Sequence, residues 1–442
     1  MGISWSCSEQ NAILPRMGTG AYRVGCSDLM IKDSKDGDSG VFMRIYYPNE
    51  KEQPEPQAHP LWLPRKEYLE GLAGYLKQSS RRLQFFSNWI VGEKRSSAGW
   101  HLPLAGTNKS IPISTSMPTI SSKTHKIPSS RSFSVTQPNF PVVVFSHGLA
   151  GCRHFYSTYC SSLASYGYVV AAIEHRDYSA CWTYKLIPDV LSGRAKERAV
   201  HMKLLESGDK EFKIRSQQLS KRVSECVKTL HVLEELCMGT LDNQSIMEGN
   251  DFDWTQFKNR LSLSKTAIAG HSFGGATAMA ATAFSTEFQA SLVLDGWMFP
   301  LDADHYVRAG QPTLFLNAKK WQWKENLKNM RRFGNESERL MYSFSDAVHQ
   351  TFSDFPYLVS NFVGKRVGLQ GEVPADELME AIIEMSVVFL RKFVYSADQT
   401  AVMFHFRIHE GELAGPTLHQ LSTMKFANIM ESGTGTDMDS ET

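Results

Sequence analysis

The pentapeptide Gly270-His271-Ser272-Phe273-Gly274 sets a serine between two glycines, each two positions away. It follows the strand-like KTAIA and precedes the helix-like GATAMAATAF, the strand–turn–helix setting in which such a segment becomes a nucleophile elbow. The turn is so tight that a Cβ at 270 or 274 would collide with a neighbouring strand or helix. Ser272 Oγ then stands exposed, and the Phe273 N–H points where an oxyanion would form. A glycine-rich turn with an incidental serine would give the same five letters, but correct flanks on both sides favour the chemical reading. A second oxyanion donor is expected from the loop after an earlier strand, and PVVVF runs into Ser146-His147-Gly148-Leu149. There the Leu149 N–H would donate, with Gly148 letting the chain turn inward, although a glycine turn after any central strand looks alike.

A serine is a weak nucleophile until a histidine takes its proton and a carboxylate orients that histidine. In strand–elbow–helix hydrolases both partners follow the serine, acid first. Asp295 comes directly after the strand-like SLVL, at a strand's C-terminal end, where open α/β sheets collect their chemistry. Asp302 and Asp304 read as turn residues, and Asp346 and Asp354 lie too close in sequence to the candidate histidine. His349 follows the strand-like LMYSF, whereas His305 sits in a polar stretch ten residues after Asp295, and His405, His409 and His419 lie near the end. The pattern favours Ser272, Asp295 and His349. No HExxH, GxxxxGK[ST] or GxGxxG opening a first helix is present. His147, His154, His175 and His271 are too dispersed for a metal set, His154 and His175 reading as structural. No metal or cofactor is expected.

Positioning these groups takes a mostly parallel α/β sheet. Short runs at 142–145, 168–173, 266–269, 291–294 and 313–316 are apolar or β-branched almost throughout and do not alternate, as in strands covered on both faces, and the segments between them can hold helices. GVFMRIYYPN at 39–48 adds an alternating strand. Apolar spacing of three and four predicts helices within Gln217–Cys237 and Ala375–Val394. Residues 96–137, rich in Ser and Thr and without an acid, read as a disordered surface insertion. The expected organisation is an N-terminal segment 1–20, one domain over 21–395 and a tail over 396–442, its last twelve residues solvated.

The 47 basic and 46 acidic residues leave a net charge of +1, which excludes a bulk electrostatic footprint for nucleic acid. Seven scattered cysteines suggest free thiols in a reducing compartment. The start MGISWSCSEQ lacks the regions of a secretory signal and has the form of an N-myristoylation site at Gly2, which points to a cytoplasmic protein with reversible membrane association. In RRLQFFSNWIVGEKR at 81–95, Phe85, Phe86, Trp89 and Ile90 lie between basic pairs. Such a stretch is either core or an element resting in a membrane interface, and the aromatics after His349 (Phe352, Phe355, Tyr357, Phe362) pose the same alternative.

The segments LWLPRKEYLEGLA, VVVFSHGLAGCRHFYS, VVAAIEHRD, EF-x-x-R with the following KRVSEC, GHSFGGATA, LDGWMFPL and HQTFSDF together resemble the platelet-activating factor acetylhydrolase family of Ser-His-Asp phospholipases, from about residue 22 to 394 outside 96–137. The resemblance implies an α/β-hydrolase fold, the triad Ser272–Asp295–His349, and an oxyanion hole from the Leu149 and Phe273 amides. It also implies calcium-independent removal of short or oxidatively truncated sn-2 acyl groups from phospholipids. The expected partner is phospholipid at a membrane surface; the sequence identifies no protein partner, and a monomer is expected. Its interfacial elements correspond to 81–95 and the segment after His349, and the Gly2 motif is similar to that of the family's intracellular, myristoylated branch. A general carboxylesterase or lipase would share every catalytic residue. A non-catalytic lipid-binding protein on the same scaffold is the reading from a different class, which the filled triad disfavours.

Overall fold

The computed structural model describes residues 13–32, 40–50, 58–77, 93–106, 138–188, 195–333, 339–394 and 430–432. Its strands are β1 (Arg23–Ile31), β2 (Phe42–Asn49), β3 (Gly99–Trp100), β4 (Phe140–Ser146), β5 (Val169–Ile173), β6 (Trp182–Pro188), β7 (Ala195–His201), β8 (Ile246–Glu248), β9 (Leu261–His271), β10 (Phe288–Leu294), β11 (Thr313–Ala318), β12 (Arg339–Phe344) and β13 (Met430–Ser432). The helices are α1 (Lys66–Tyr75), α2 (Ser157–Ser165), α3 (Glu211–Met238), α4 (Phe273–Phe284), α5 (Ala303–Arg308), α6 (Lys324–Met330), α7 (Asn361–Arg366) and α8 (Ala375–Phe393).

The sheet runs β13-β12-β11-β10-β9-β4-β5-β2-β1-β3, with β8 beside β1. From β5 through β12 every pair is parallel, and β1, β2 and β13 add antiparallel pairs at the two sides. β6 and β7 form a separate hairpin. Strand β4 shows why the continuous apolar runs were needed. Val143 and Phe145 join one core with α2 and α8, while Val142 and Val144 join a second core with α3 on the opposite face. Helix α8 carries Asp376 and Glu377 in its first turn and Arg391 and Lys392 in its last, both matched to the helix dipole. Helix α3 stops at Gly239, whose φ of 71° lets the Gly239 and Thr240 amides return to the carbonyls of Leu236 and Glu235.

Three expected boundaries are corrected. The insertion does not begin at 96: Ala98, Leu104 and Ala105 are buried, and β3 pairs in parallel with β1. Arg260 donates to the Ala105 and Pro138 carbonyls, tying both stems of the segment together. Local composition hid this because the burying surface comes from distant parts of the chain; 107–137 lie outside the described residues. Nor does the packed domain begin at 21, since Leu14 and Met17 are buried and the Met17 amide donates to Ser162 Oγ at 2.8 Å; 1–12 lie outside the described residues. Within the tail, Met430–Ser432 pairs antiparallel with β12, so the last twelve residues begin inside a sheet. Gly2 and the membrane candidates Phe85, Phe86, Trp89 and Ile90 lie outside the described residues.

Candidate active site

Strand β9 ends at His271 and helix α4 begins at Phe273, leaving Ser272 alone in the turn with φ 57° and ψ −117°. A non-glycine residue with that backbone is strained, and the surroundings hold it. The Ser272 amide donates to the Leu294 carbonyl at 3.0 Å, and its own carbonyl accepts from Gly275 and Trp297. The flanking glycines are obligatory: a Cβ on Gly270 would stand 2.1 Å from the Gly274 carbonyl oxygen, and one on Gly274 would stand 1.9 Å from that of Ser146. The same close approach brings the end of β4 to the elbow, since a Cβ on Gly148 would lie 3.2 Å from Ser272 Cβ.

Neither the Leu149 nor the Phe273 amide donates to any acceptor among the described residues. Phe273 is the first residue of α4, whose N–H groups lack intrahelical partners and carry the positive end of the helix dipole. Two amides without acceptors, one after β4 and one directly after Ser272, are what an oxyanion hole requires.

Asp295 follows β10 with φ 46° and is fully buried. Its Oδ2 accepts from His349 Nδ1 at 2.7 Å, and its Oδ1 from the Ala318 amide at 2.8 Å and Gln322 Nε2 at 2.7 Å. Gln322 is held in turn by Asn326 Nδ2 at 2.6 Å, and Asn326 also accepts from the Met298 amide. This chain locks the carboxylate plane and leaves His349 as the Nδ1–H tautomer, with Nε2 free to accept a proton. The ring of Trp321 lies against His349, centroids 3.7 Å apart and planes at 18°, and favours the cation formed when His349 takes a proton. Ser272 and His349 open on the same cleft, with no hydrogen bond between their side chains among the described contacts. Such bonds commonly tighten only once substrate binds.

His271, the variable residue of the elbow, turns out to brace the site. Its Nδ1 faces Tyr156 Oη at 2.9 Å, and its Nε2 faces the His349 carbonyl at 3.0 Å. Tyr156 Oη accepts from the Gly148 amide at 3.1 Å, so one path of hydrogen bonds links the oxyanion loop to the catalytic histidine's backbone. Burial and the neighbouring His349 hold His271 well below the usual histidine range, and it serves as a neutral spacer. Its ring, Asp295 and His349 have donor atoms within 4.8 Å of one another, a spacing that could also hold a metal. Both His271 nitrogens and His349 Nδ1 are already committed to protein hydrogen bonds, however, and the donor set fits proton relay better than metal ligation.

The rejected partners have other work. Asp354 is buried and accepts from Trp62 Nε1, the Ser157 amide and hydroxyl, and the Thr158 amide at the start of α2. Asp302 caps α5 and pairs with His305 at 2.6 Å, and Asp346 pairs with Lys320. Of the aromatics after His349, Phe352 is core while Phe362 on α7 is exposed. Sequence reasoning did not find Trp321, Gln322, Asn326 or Tyr156.

The cleft encloses about 1070 Å³. Leu63, Leu72, Phe355, Leu358 and Trp297 give it largely apolar walls around Ser272. The arrangement is that of a serine hydrolase for esters with apolar substituents.

Comparison with known proteins agrees. The sequence profile of the family described as platelet-activating factor acetylhydrolase, isoform II, matches residues 6–116 and 115–401. Platelet-activating factor acetylhydrolase of the dog is 33% identical over 392 residues, covering 88% of this chain and 78% of its own. The guinea-pig protein of the same name is 31% identical, with 95% and 86% covered. The structure of a ferulic acid esterase from Streptomyces cinnamoneus superposes with a TM-score of 0.53 at 18% identity, covering 87% of this chain and 93% of that one, and so shares the α/β-hydrolase fold. Ser272, Asp295, His349 and two open amides thus sit on a family scaffold matched over most of the chain, and the protein belongs to the platelet-activating factor acetylhydrolase, isoform II, family as a serine ester hydrolase.

Proposed function

We propose that the enzyme hydrolyses the sn-2 ester of phospholipids whose sn-2 acyl group is acetyl or oxidatively truncated, drawing them from a membrane surface. The carrying observation is the alignment of His349 on Asp295 in an apolar cleft that also holds Ser272 and two unpartnered amides. His349 Nε2 takes the Ser272 proton as Oγ attacks the sn-2 carbonyl, and the Leu149 and Phe273 amides hold the oxyanion. The tetrahedral intermediate collapses, His349 returns the proton to the departing lysophospholipid oxygen, and an acyl-serine remains. Water, deprotonated by His349, then releases the short acid and restores Ser272.

Exposed Leu76, Leu204 and Leu205 stand at the mouth of this cleft, with exposed Phe362 on neighbouring α7. Apolar groups at a cleft mouth support loading from lipid, with residues 85, 86, 89 and 90 and an acylated Gly2 as further contacts, in a cytoplasmic setting. One myristoyl chain binds only marginally, so a second contact is needed. The test is kcat/KM across phosphatidylcholines whose sn-2 chain grows from acetyl to palmitoyl. A steep fall beyond short chains supports the proposal, whereas a flat profile makes the protein a general lipase.

A further inference from the structure

The KRVSEC segment carries a charge that the triad does not use. Arg222, in the middle of α3, is fully buried and its guanidinium lies beneath the oxyanion loop. Nη1 donates to the His147 carbonyl at 2.6 Å, and Nη2 reaches the Gly148 carbonyl at 3.4 Å. On its other side the group pairs with Asp177 at 3.1 Å and donates to Ser179 Oγ at 2.7 Å. The loops it joins are stitched to each other, the Ala150 amide donating to the Ser179 carbonyl and the Cys181 amide to that of Gly151. The guanidinium also covers the Phe273 ring, 4.3 Å from its centroid.

We infer that Arg222 is the positioning residue of the oxyanion hole, fixing the Gly148–Leu149 peptide from below while packing against the residue that supplies the second donor. The Gly148 carbonyl and the Leu149 N–H belong to one peptide unit. Fixing the carbonyl therefore aims the N–H, and hydrogen bonds to that carbonyl make the N–H a stronger donor. Two further bonds act on the same oxygen: Gly151 donates its amide at 3.0 Å, and His147 Nδ1 lies at 2.7 Å. His147 Nε2 accepts from the His175 amide, so Nδ1 carries the proton and donates. An arginine is suited to this because its planar fork can serve two carbonyls, a hydroxyl and a carboxylate together, which a lysine ammonium cannot do in the same geometry. Arg222 touches neither Ser272 nor the substrate cleft, and acts through the peptide it holds.

The inference rests on Leu149 and Phe273 being the oxyanion donors. It is tested with R222K and R222M, measuring kcat and KM for a soluble short-chain ester and Ki for an alkyl trifluoromethyl ketone, whose serine adduct carries the same oxyanion. Losing one oxyanion donor lowers kcat by about 10²- to 10³-fold. A misaimed donor should therefore lower kcat by roughly 10- to 100-fold in R222M and less in R222K. KM should change little, and Ki should rise in proportion to the loss in kcat/KM. Because Arg222→Met leaves Asp177 buried without its partner, Ser179→Ala provides a second variant that loosens the fork while keeping the ion pair, with a smaller shift along the same line. Folded variants that keep wild-type kcat, or that lose kcat with Ki unchanged, overturn the role of Arg222. Failure of the ketone to inhibit the wild-type enzyme would instead overturn the oxyanion hole itself.

Discussion

Two sets of serine, histidine and carboxylate lie in one molecule, and only the first lines the cleft. In the first, Asp295 holds His349 at 2.7 Å beside Ser272, and the histidine side chain is 19% exposed. In the second, Glu225 holds His175 at 2.7 Å, and His175 Nε2 lies 2.7 Å from Ser146 Oγ, with the histidine wholly buried. The histidine–carboxylate distance is 2.7 Å in both, and it is Ser146, not Ser272, whose hydroxyl lies within hydrogen-bond distance of its histidine, so these bonds alone do not make a catalyst. Ser272 sits in a strained turn open to the cleft, with one acceptor-free amide directly after it and another after β4. Ser146 ends a regular strand, and its oxygen also lies 3.4 Å from Arg222 Nη1. Access, a strained elbow and unspent donors separate an active triad from a structural one.

The largest effect breaks the comparison at its nucleophile. Ser272→Ala should lower kcat on short-chain esters by on the order of 10⁴- to 10⁶-fold, checked by initial rates. Next come the two carboxylates. Asp295→Asn should cost about 10⁴-fold, because His349 becomes a cation during the reaction and loses both its tautomer and its counter-charge. Glu225→Gln should cost less than about tenfold, since His175 stays neutral and keeps a hydrogen-bond partner. Equal losses from the two substitutions would erase the distinction.

The smallest expected effect is on stability. Burial holds His147, His154, His175 and His271 well below their ordinary range, so the folded state takes up fewer protons than the unfolded chain. Stability from these groups is present above the unfolded value near pH 6.5 and is lost as pH falls below it, by up to about 1.4 kcal/mol per histidine per pH unit. Urea midpoints should therefore drop between pH 7.5 and 5.5, and His175→Gln should flatten that slope by up to one proton. A slope unchanged by the substitution would mean that His175 is protonated in the fold.

The elbow was legible because its geometry dictates residue type: only glycine fits at 270 and 274. Asp295 and His349 were legible because a parallel sheet gathers chemistry at its strand ends, which continuous apolar runs reveal. Gln322, Trp321 and Arg222 were not, since ordinary residues acquire their roles from contacts with groups tens of residues away. The same cause misplaced the start of the insertion. Ser96–Gly106 reads as a polar loop from its own letters, but its packing surface is provided by β1 and Arg260. Likewise Leu14 and Met17 gave no periodic signal, because they are two isolated anchors outside any helix or strand, their amides donating to the Arg95 carbonyl and to Ser162 on α2.

The most direct measurement is covalent labelling with a fluorophosphonate probe followed by peptide mapping, because the probe reports an activated, accessible serine. One adduct on Ser272, absent from Ser272→Ala and with Ser146 unmodified, is the predicted result. Labelling that persists in Ser272→Ala, or that falls on Ser146, would contradict the account.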